Sequence, residues 1–171
     1  MKSCVFLLVI LLLPGVANAA QPTVRIGDFD VYLGMSKDAV MKGLSAKYKI
    51  VRVQDSEDWV VFEKGSQSMS LGGVSFQNNK VLSASRTIGD YSGKDSINFM
   101  QALHSALDTM SRSGENIIKM KTESQSYGEK KFKSINFYFK KRTLSVSIAY
   151  GPDVLESVII EEHIGWPITD K

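Results

Sequence analysis

Two histidines, His104 and His163, are the only imidazoles in a chain of 171 residues. His163 follows Glu161 by two positions, so in a strand both would project from one face. Such a pair could act as a base dyad or supply two metal ligands, but no third ligand is evident nearby. His104 stands beside Met100 and Leu107 at helical spacing, which predicts a half-buried packing role. Asp28 and Asp30, and the cluster Asp55, Glu57 and Asp58, offer paired carboxylates of the kind that cleave glycosidic bonds. Their turn-like contexts predict solvated loops. Ser68, Ser70, Ser83 and Ser85 lack a Gly-x-Ser-x-Gly setting. No phosphate loop, dinucleotide fingerprint or zinc motif occurs, so no cofactor or metal is expected. A small hydrolase using carboxylates and His163 stays as an alternative, but no catalytic set assembles itself from the sequence.

The basic residues are unevenly spread. Between Lys119 and Arg142 stand eight Lys or Arg against only Glu123 and Glu129. Lys130 and Lys131 begin an expected hairpin, and Lys140, Lys141 and Arg142 form its turn. All five are expected on one local surface that would suit anionic lipid, lipopolysaccharide or an acidic protein. Lysines that protect an exposed strand edge are the plainer explanation. Tyr138 alternates away from Phe137 and Phe139, and with Tyr127 and Trp59 it is an aromatic that the core does not obviously need, hence a candidate binding anchor. The whole chain has 21 basic and 18 acidic residues and a formal charge of +3, too little to indicate nucleic-acid binding.

The N-terminus has the marks of an export signal. Met1 and Lys2 precede the apolar run Val5–Leu13, Pro14 and Gly15 interrupt it, and Ala17-Asn18-Ala19 fits a cleavage site. The run is short for a span of a bilayer core roughly 30 Å thick. The expectation is a signal peptide over 1–19 and a periplasmic or secreted domain over 20–171. Cys4 is the only cysteine and falls inside the signal. The mature protein would then have no disulfide, thiolate metal site or cysteine nucleophile.

The remaining pattern defines the elements that must position these residues. Val24–Leu33 suggests a first strand. Ser36 is a good N-cap with Asp38 in the first turn, and Val40, Met41, Leu44 and Tyr48 recur at helical spacing, so a helix is expected over about 36–47. Strands follow at Lys49–Gln54, Asp58–Lys64, Ser70–Phe76 and Val81–Ile88. Asn78-Asn79 tolerates positive φ and suits a tight turn between the last two. Gly72-Gly73 marks a bulge or a close backbone approach. Ser92 and Asp95 resemble a capping box, Met100, Leu103, Leu107 and Met110 form an apolar stripe, and Gly114 stops a second helix.

Four more strands are expected at Glu115–Glu123, Lys131–Phe139, Thr143–Tyr150 and Leu155–His163. Ile135, Phe137 and Phe139 share a face, as do Leu144, Val146, Ile148 and Tyr150. Thr143, Ser145 and Ser147 alternate with the latter set, and Ser83, Ser85 and Thr87 line an earlier strand. A sheet with one apolar and one hydroxyl-rich face takes helices on one side. The expected fold is α+β: an antiparallel sheet with two helices packed on one face. A tandem helix-plus-four-strand arrangement, divided as 24–90 and 91–165, stands beside a single continuous sheet.

The segment Val31-Tyr32-Leu33-Gly34-Met35-Ser36-Lys37-Asp38-Ala39-Val40 resembles the strand-to-helix start of the small SmpA/OmlA envelope proteins and of β-lactamase-inhibitor-protein-like domains. The glycine permits the turn, the hydroxyl caps the helix and the valine begins its apolar face. The resemblance implies an antiparallel sheet bearing helices, duplicated in the inhibitor type, and a role in outer-membrane assembly or in binding another protein on a sheet face. The lipidated cysteine of the assembly lipoproteins is absent, and no functional residue transfers. The functional expectation is a non-enzymatic envelope protein that binds a protein partner or an anionic envelope surface. A lipid or small-ligand carrier is a further alternative and would need a cavity beneath the helices.

Overall fold

A computed structural model of the chain describes residues 21–65, 70–92, 96–112, 114–127, 130–151 and 154–165. The expected signal peptide, Ser68 and Asp95 lie outside the described residues. The fold is dominated by antiparallel sheet, with two α-helices. β1 (Thr23–Ile26) and β2 (Phe29–Tyr32) form a separate hairpin. One long strand was expected here; Gly27, at φ 61°, turns the chain instead. A Cβ at Gly27 would also lie 2.3 Å from the Tyr48 hydroxyl, so space as well as φ favours glycine.

α1 (Lys37–Ser45) begins as expected, with Ser36 Oγ accepting from the Ala39 N–H at 3.3 Å. β3 (Tyr48–Arg52), β4 (Asp58–Glu63), β5 (Ser70–Gln77) and β6 (Lys80–Ser92) follow. Asn78 and Asn79 both take positive φ, as the tight β5–β6 turn demands. Gly72 has φ 151°, and a Cβ there would meet the Ser85 carbonyl oxygen at 2.1 Å. It adjoins the register shift between β4 and β5, which agrees with the bulge expected from the Gly-Gly pair.

α2 (Ser96–Arg112) ends at Gly114, whose φ is 79° and whose N–H donates to the Ser111 carbonyl. The last four strands are β7 (Lys119–Tyr127), β8 (Lys130–Tyr138), β9 (Arg142–Gly151) and β10 (Val154–Ile164). The eight-stranded order is β3-β4-β5-β6-β10-β9-β8-β7. The last strand of each half therefore meets the other at the centre, through β6–β10 pairing.

Two buried clusters form the core. Val40 and Leu44 of α1 join Val24, Ile26 and Val31 of the hairpin and Val61, Val74, Ala84 and Ile164 of the sheet. Ala106 and Met110 of α2 join Leu144, Val146 and Ile160. The α2 stripe is displaced from the expected one. Leu103, Leu107 and Met110 of the expected stripe do face inward, but Met100 is 59% exposed and Phe99, Ala102 and Ala106 complete the inward face. His104 is consequently exposed and not half-buried. A stripe chosen by the largest apolar residues missed Ala102 and Ala106, which also belong to the inward face.

Candidate functional site

β10 crosses the middle of the sheet and separates two sets of chemistry. Its even positions Val158, Ile160 and Ile164 belong to or pack against the buried clusters. Glu162 alternates in phase with them and is 2% exposed. An ionised carboxylate cannot be buried there without partners, and two guanidiniums supply them. Arg86 Nε donates to Glu162 Oε2 at 2.5 Å, and Arg142 Nη1 donates to Oε1. Arg142 also donates through Nε to Glu115 at 3.2 Å and through Nη1 to the Thr23 carbonyl at 3.3 Å. Burial works against the Arg142 charge, yet the bonds and charge of Glu162, then Glu115, hold its pKa above the usual arginine value. The strand register makes this possible: Glu162 lies opposite Arg86, and Arg142 is opposite Ile164, one diagonal step away.

This triad was not anticipated. A signal for it existed: Glu162 occupies the apolar phase of Val158-Ile160-Glu162-Ile164, Arg142 that of Leu144 and Val146, and Arg86 that of Ala84. A charge in phase with core residues predicts a buried charge, and a buried charge requires an opposite one on a neighbouring strand.

The odd positions of β10 carry Glu161 and His163. Their closest charged atoms, His163 Nε2 and Glu161 Oε2, are 3.9 Å apart. His163 is 5% exposed, and burial pushes its pKa down to about 4; burial also raises that of Glu161. His163 lies opposite Ser85 and Thr143, and Glu161 opposite Thr87 and Ser145. A largely hydroxyl-bearing row surrounds the pair. No group of three or more His, Cys, Asp or Glu side chains suited to a metal occurs among the described residues.

The remaining carboxylates stay with their own neighbours. Asp28 binds Lys47 and accepts from the Tyr48 hydroxyl at 2.8 Å; those hydrogen bonds hold its pKa below the ordinary carboxylate value. Asp30 lies 3.8 Å from Arg25. Glu57 pairs with Lys37 and Arg52, each at 2.6 Å, and its pKa is lowered chiefly by the Lys37 bond. Asp55 occupies a turn at φ 58° and Asp58 accepts from Ser75. Asp28, Asp30, Glu57 and Asp58 are each accounted for by a local contact, and Asp55 by its turn.

The basic hairpin does not form one surface. Lys131 is opposite Tyr150 and Tyr138 is opposite Thr143, so β8 runs its whole length between the two lysine groups. At about 3.3 Å per residue, Lys130 and Lys131 stand roughly 25–30 Å from Lys140 and Lys141. Antiparallel pairing itself dictates this, because a hairpin's start and its turn are opposite ends. Arg142 is turned inward to Glu162 and is not part of an exposed patch. Lys140 and Lys141 remain exposed at the turn. Tyr138 is 4% exposed and therefore no surface anchor. Trp59 is partly buried against the first core cluster, and the side chain of Tyr127 lies outside the described ones.

Comparison with protein-family models, curated proteins and solved structures finds no significant match. No helix among the described residues is long and apolar enough to cross a membrane.

Proposed function

We propose that the chain is an exported, non-enzymatic binding protein of the bacterial cell envelope, and that its partner is a protein seated on the hydroxyl-rich face of the eight-stranded sheet. The observation that carries this reading is the alternation along β10. Even positions share buried clusters with α1, α2 and the β1–β2 hairpin, so all three elements are taken to cover one face. The odd positions align with Ser85, Thr87 and Ser147, which stay partly exposed, and with Thr143 and Ser145, which are buried, so the accessible part of this face is the row through Ser85, Thr87 and Ser147. Eight strands spaced about 4.8 Å apart make a platform roughly 35 Å wide. That is enough for a standard interface of about 800 Å² per partner. A row of hydroxyl groups suits a polar, water-bridged contact. The export pattern of residues 1–19 supports the envelope assignment. In this reading the two helix-plus-four-strand halves are copies of one unit, joined through β6 and β10.

An anionic lipid or lipopolysaccharide surface is the second reading, carried now by Lys140 and Lys141 alone. A catalytic role for Glu161 and His163 has less support, because the Asp28 and Asp30 carboxylates are engaged elsewhere.

The test is capture from an envelope extract with the mature protein, followed by binding measurements with the purified partner. Ser134→Arg, which adds bulk and charge to the hydroxyl-rich face, should abolish binding; Gln101→Arg on the exposed side of α2 should not. Binding indifferent to Ser134→Arg would refute the sheet-face reading. Salt-sensitive binding to anionic vesicles that is lost in Lys140→Glu/Lys141→Glu would favour the second. Intact-mass analysis of the exported protein should give an N-terminus at Ala20 or Gln21, and retention of residues 1–19 would exclude the signal peptide.

A further inference from the structure

A cavity of about 590 Å³ opens between α2, the β1–β2 hairpin and the central strands. Its size falls within the range of small-molecule sites, roughly 300–1,000 Å³. One wall is mainly apolar: Ala102, Ala106 and Met110 of α2, with Leu71 and Ile88 of the sheet, are joined there by the hydroxyls of Ser105 and Thr109. The other is charged: Arg86 and Arg142 hold the carboxylate of Glu162, and Arg25 lines the same cavity. We infer that this cavity binds a small amphiphilic anion, with an oxyanion head held by Arg86 and Arg25 and a short apolar tail lying under α2.

The charge arrangement points to the ligand class. The cavity wall carries three guanidiniums and one carboxylate, and that carboxylate is already shared by Arg86 and Arg142. Arg142 is held through Nε and Nη1 by Glu115, Glu162 and the Thr23 carbonyl, which makes it a positioning group. Arg86 differs. It contacts Glu162 only through Nε, and its two terminal nitrogens have no hydrogen-bond partner among the described residues. A guanidinium fixed at one nitrogen presents its other N–H groups in the planar fork that fits a carboxylate or phosphate. Arg25 reaches the same cavity from β1. Its nearest carboxylate, Asp30, is 3.8 Å away with both side chains more than 60% exposed, so a ligand in the cavity competes against a weak contact.

The apolar wall supplies the second half of the recognition. Ala102 and Ala106, where Leu or Phe would fill the gap, leave room against the sheet. The β6 irregularity contributes, since Gly89 and Thr87 pair with consecutive β10 residues and leave Ile88 as the extra residue, packed with the α2 cluster. A ligand with only charge would leave this wall unfilled, and one with no charge would leave the Arg86 fork without a partner. The cavity is built on the even-numbered side of β10, so it does not depend on the sheet-face reading above.

Titration calorimetry on the mature protein would use octanoate, octyl phosphate, inorganic phosphate and octanol as probes. Octanoate or octyl phosphate should bind saturably, and octanol and inorganic phosphate at least about tenfold more weakly, since a good charge-assisted contact is worth about that factor. The tighter of the two amphiphiles identifies the head as carboxylate or phosphate. Arg86→Gln should weaken the tighter amphiphile by about tenfold or more and leave octanol unchanged. Arg25→Gln tests the same charge without touching Glu162, in case the Arg86 variant does not fold. Ser105→Phe, at the mouth of the cavity, should weaken all organic probes. The inference is overturned by absence of saturable amphiphile binding, by octanol or inorganic phosphate matching the amphiphiles, or by unchanged amphiphile affinity in a folded Arg25→Gln protein.

Discussion

Replacing Glu162 by glutamine removes the one carboxylate buried at the centre of the sheet while keeping its shape. The amide cannot neutralise Arg86 and Arg142, which would then face each other across a space of low polarity. Breaking a fully buried pair costs about 3–5 kcal/mol. The carboxylate is 2% exposed, but the two guanidinium side chains are 38% and 28% exposed and keep some hydration. Arg142 also retains Glu115. The expected loss is therefore about 2–3 kcal/mol. For a domain of this size that lowers the melting midpoint by roughly 5–12 °C. Chemical denaturation followed by circular dichroism would measure it, at low salt and again near 1 M salt. The loss should persist at high salt, because the carboxylate side is shielded from mobile ions. A change smaller than about 0.5 kcal/mol, the range of ordinary surface substitutions, would refute the picture of a central buried charge.

Leu44→Ala should cost about 2–5 kcal/mol in the same assay, since Leu44 is 1% exposed in the core under α1; a near-neutral result would place α1 off the sheet. Gly72→Ala should destabilise by roughly 1–3 kcal/mol, because the new Cβ would collide with the Ser85 carbonyl at a φ of 151°, and an unchanged midpoint would mean the bulge relaxes freely. His163 has a folded pKa of about 4 against 6.5 when unfolded, so between those values the unfolded state holds more protons. Stability should fall as pH drops from about 6.5 to about 4, by up to roughly 3 kcal/mol, and His163→Gln should flatten that slope. Glu161, whose pKa is raised, works in the opposite sense and loses stability as pH climbs above its unfolded value. Equal pH profiles for wild type and His163→Gln would show that the imidazole is hydrated.

Much of the fold was legible because it rests on local rules. The Ser36 cap, the Asn78-Asn79 turn, the Gly72-Gly73 bulge and the Gly114 stop each depend on a few adjacent residues with restricted or permissive φ. The two-residue alternation of Thr143–Tyr150 similarly announced a strand with unlike faces. The candidate sites were less legible. Residues 130–142 looked like one basic patch because charge density along a chain ignores where the ends of a hairpin go. His104 and Met100 were misplaced because Phe99, Ala102 and Ala106 share the inward face of α2 with Leu103, Leu107 and Met110 and turn it away from Met100.

By itself, then, the sequence determined the order of elements after the β1–β2 hairpin, the hydroxyl-bearing face of β6 and the unlike faces of β9, and the absence of a cysteine beyond Cys4. Only the tertiary structure decided which strands meet. Glu162 is separated from Arg86 by 76 positions and from Arg142 by 20, and no local pattern states that β10 inserts between β6 and β9. That insertion turns three isolated charges into a buried triad and places an arginine-lined cavity under α2. The physical reason is that strand order is settled by burial across the whole sheet, where long-range pairing must satisfy every in-phase charge together with every apolar face.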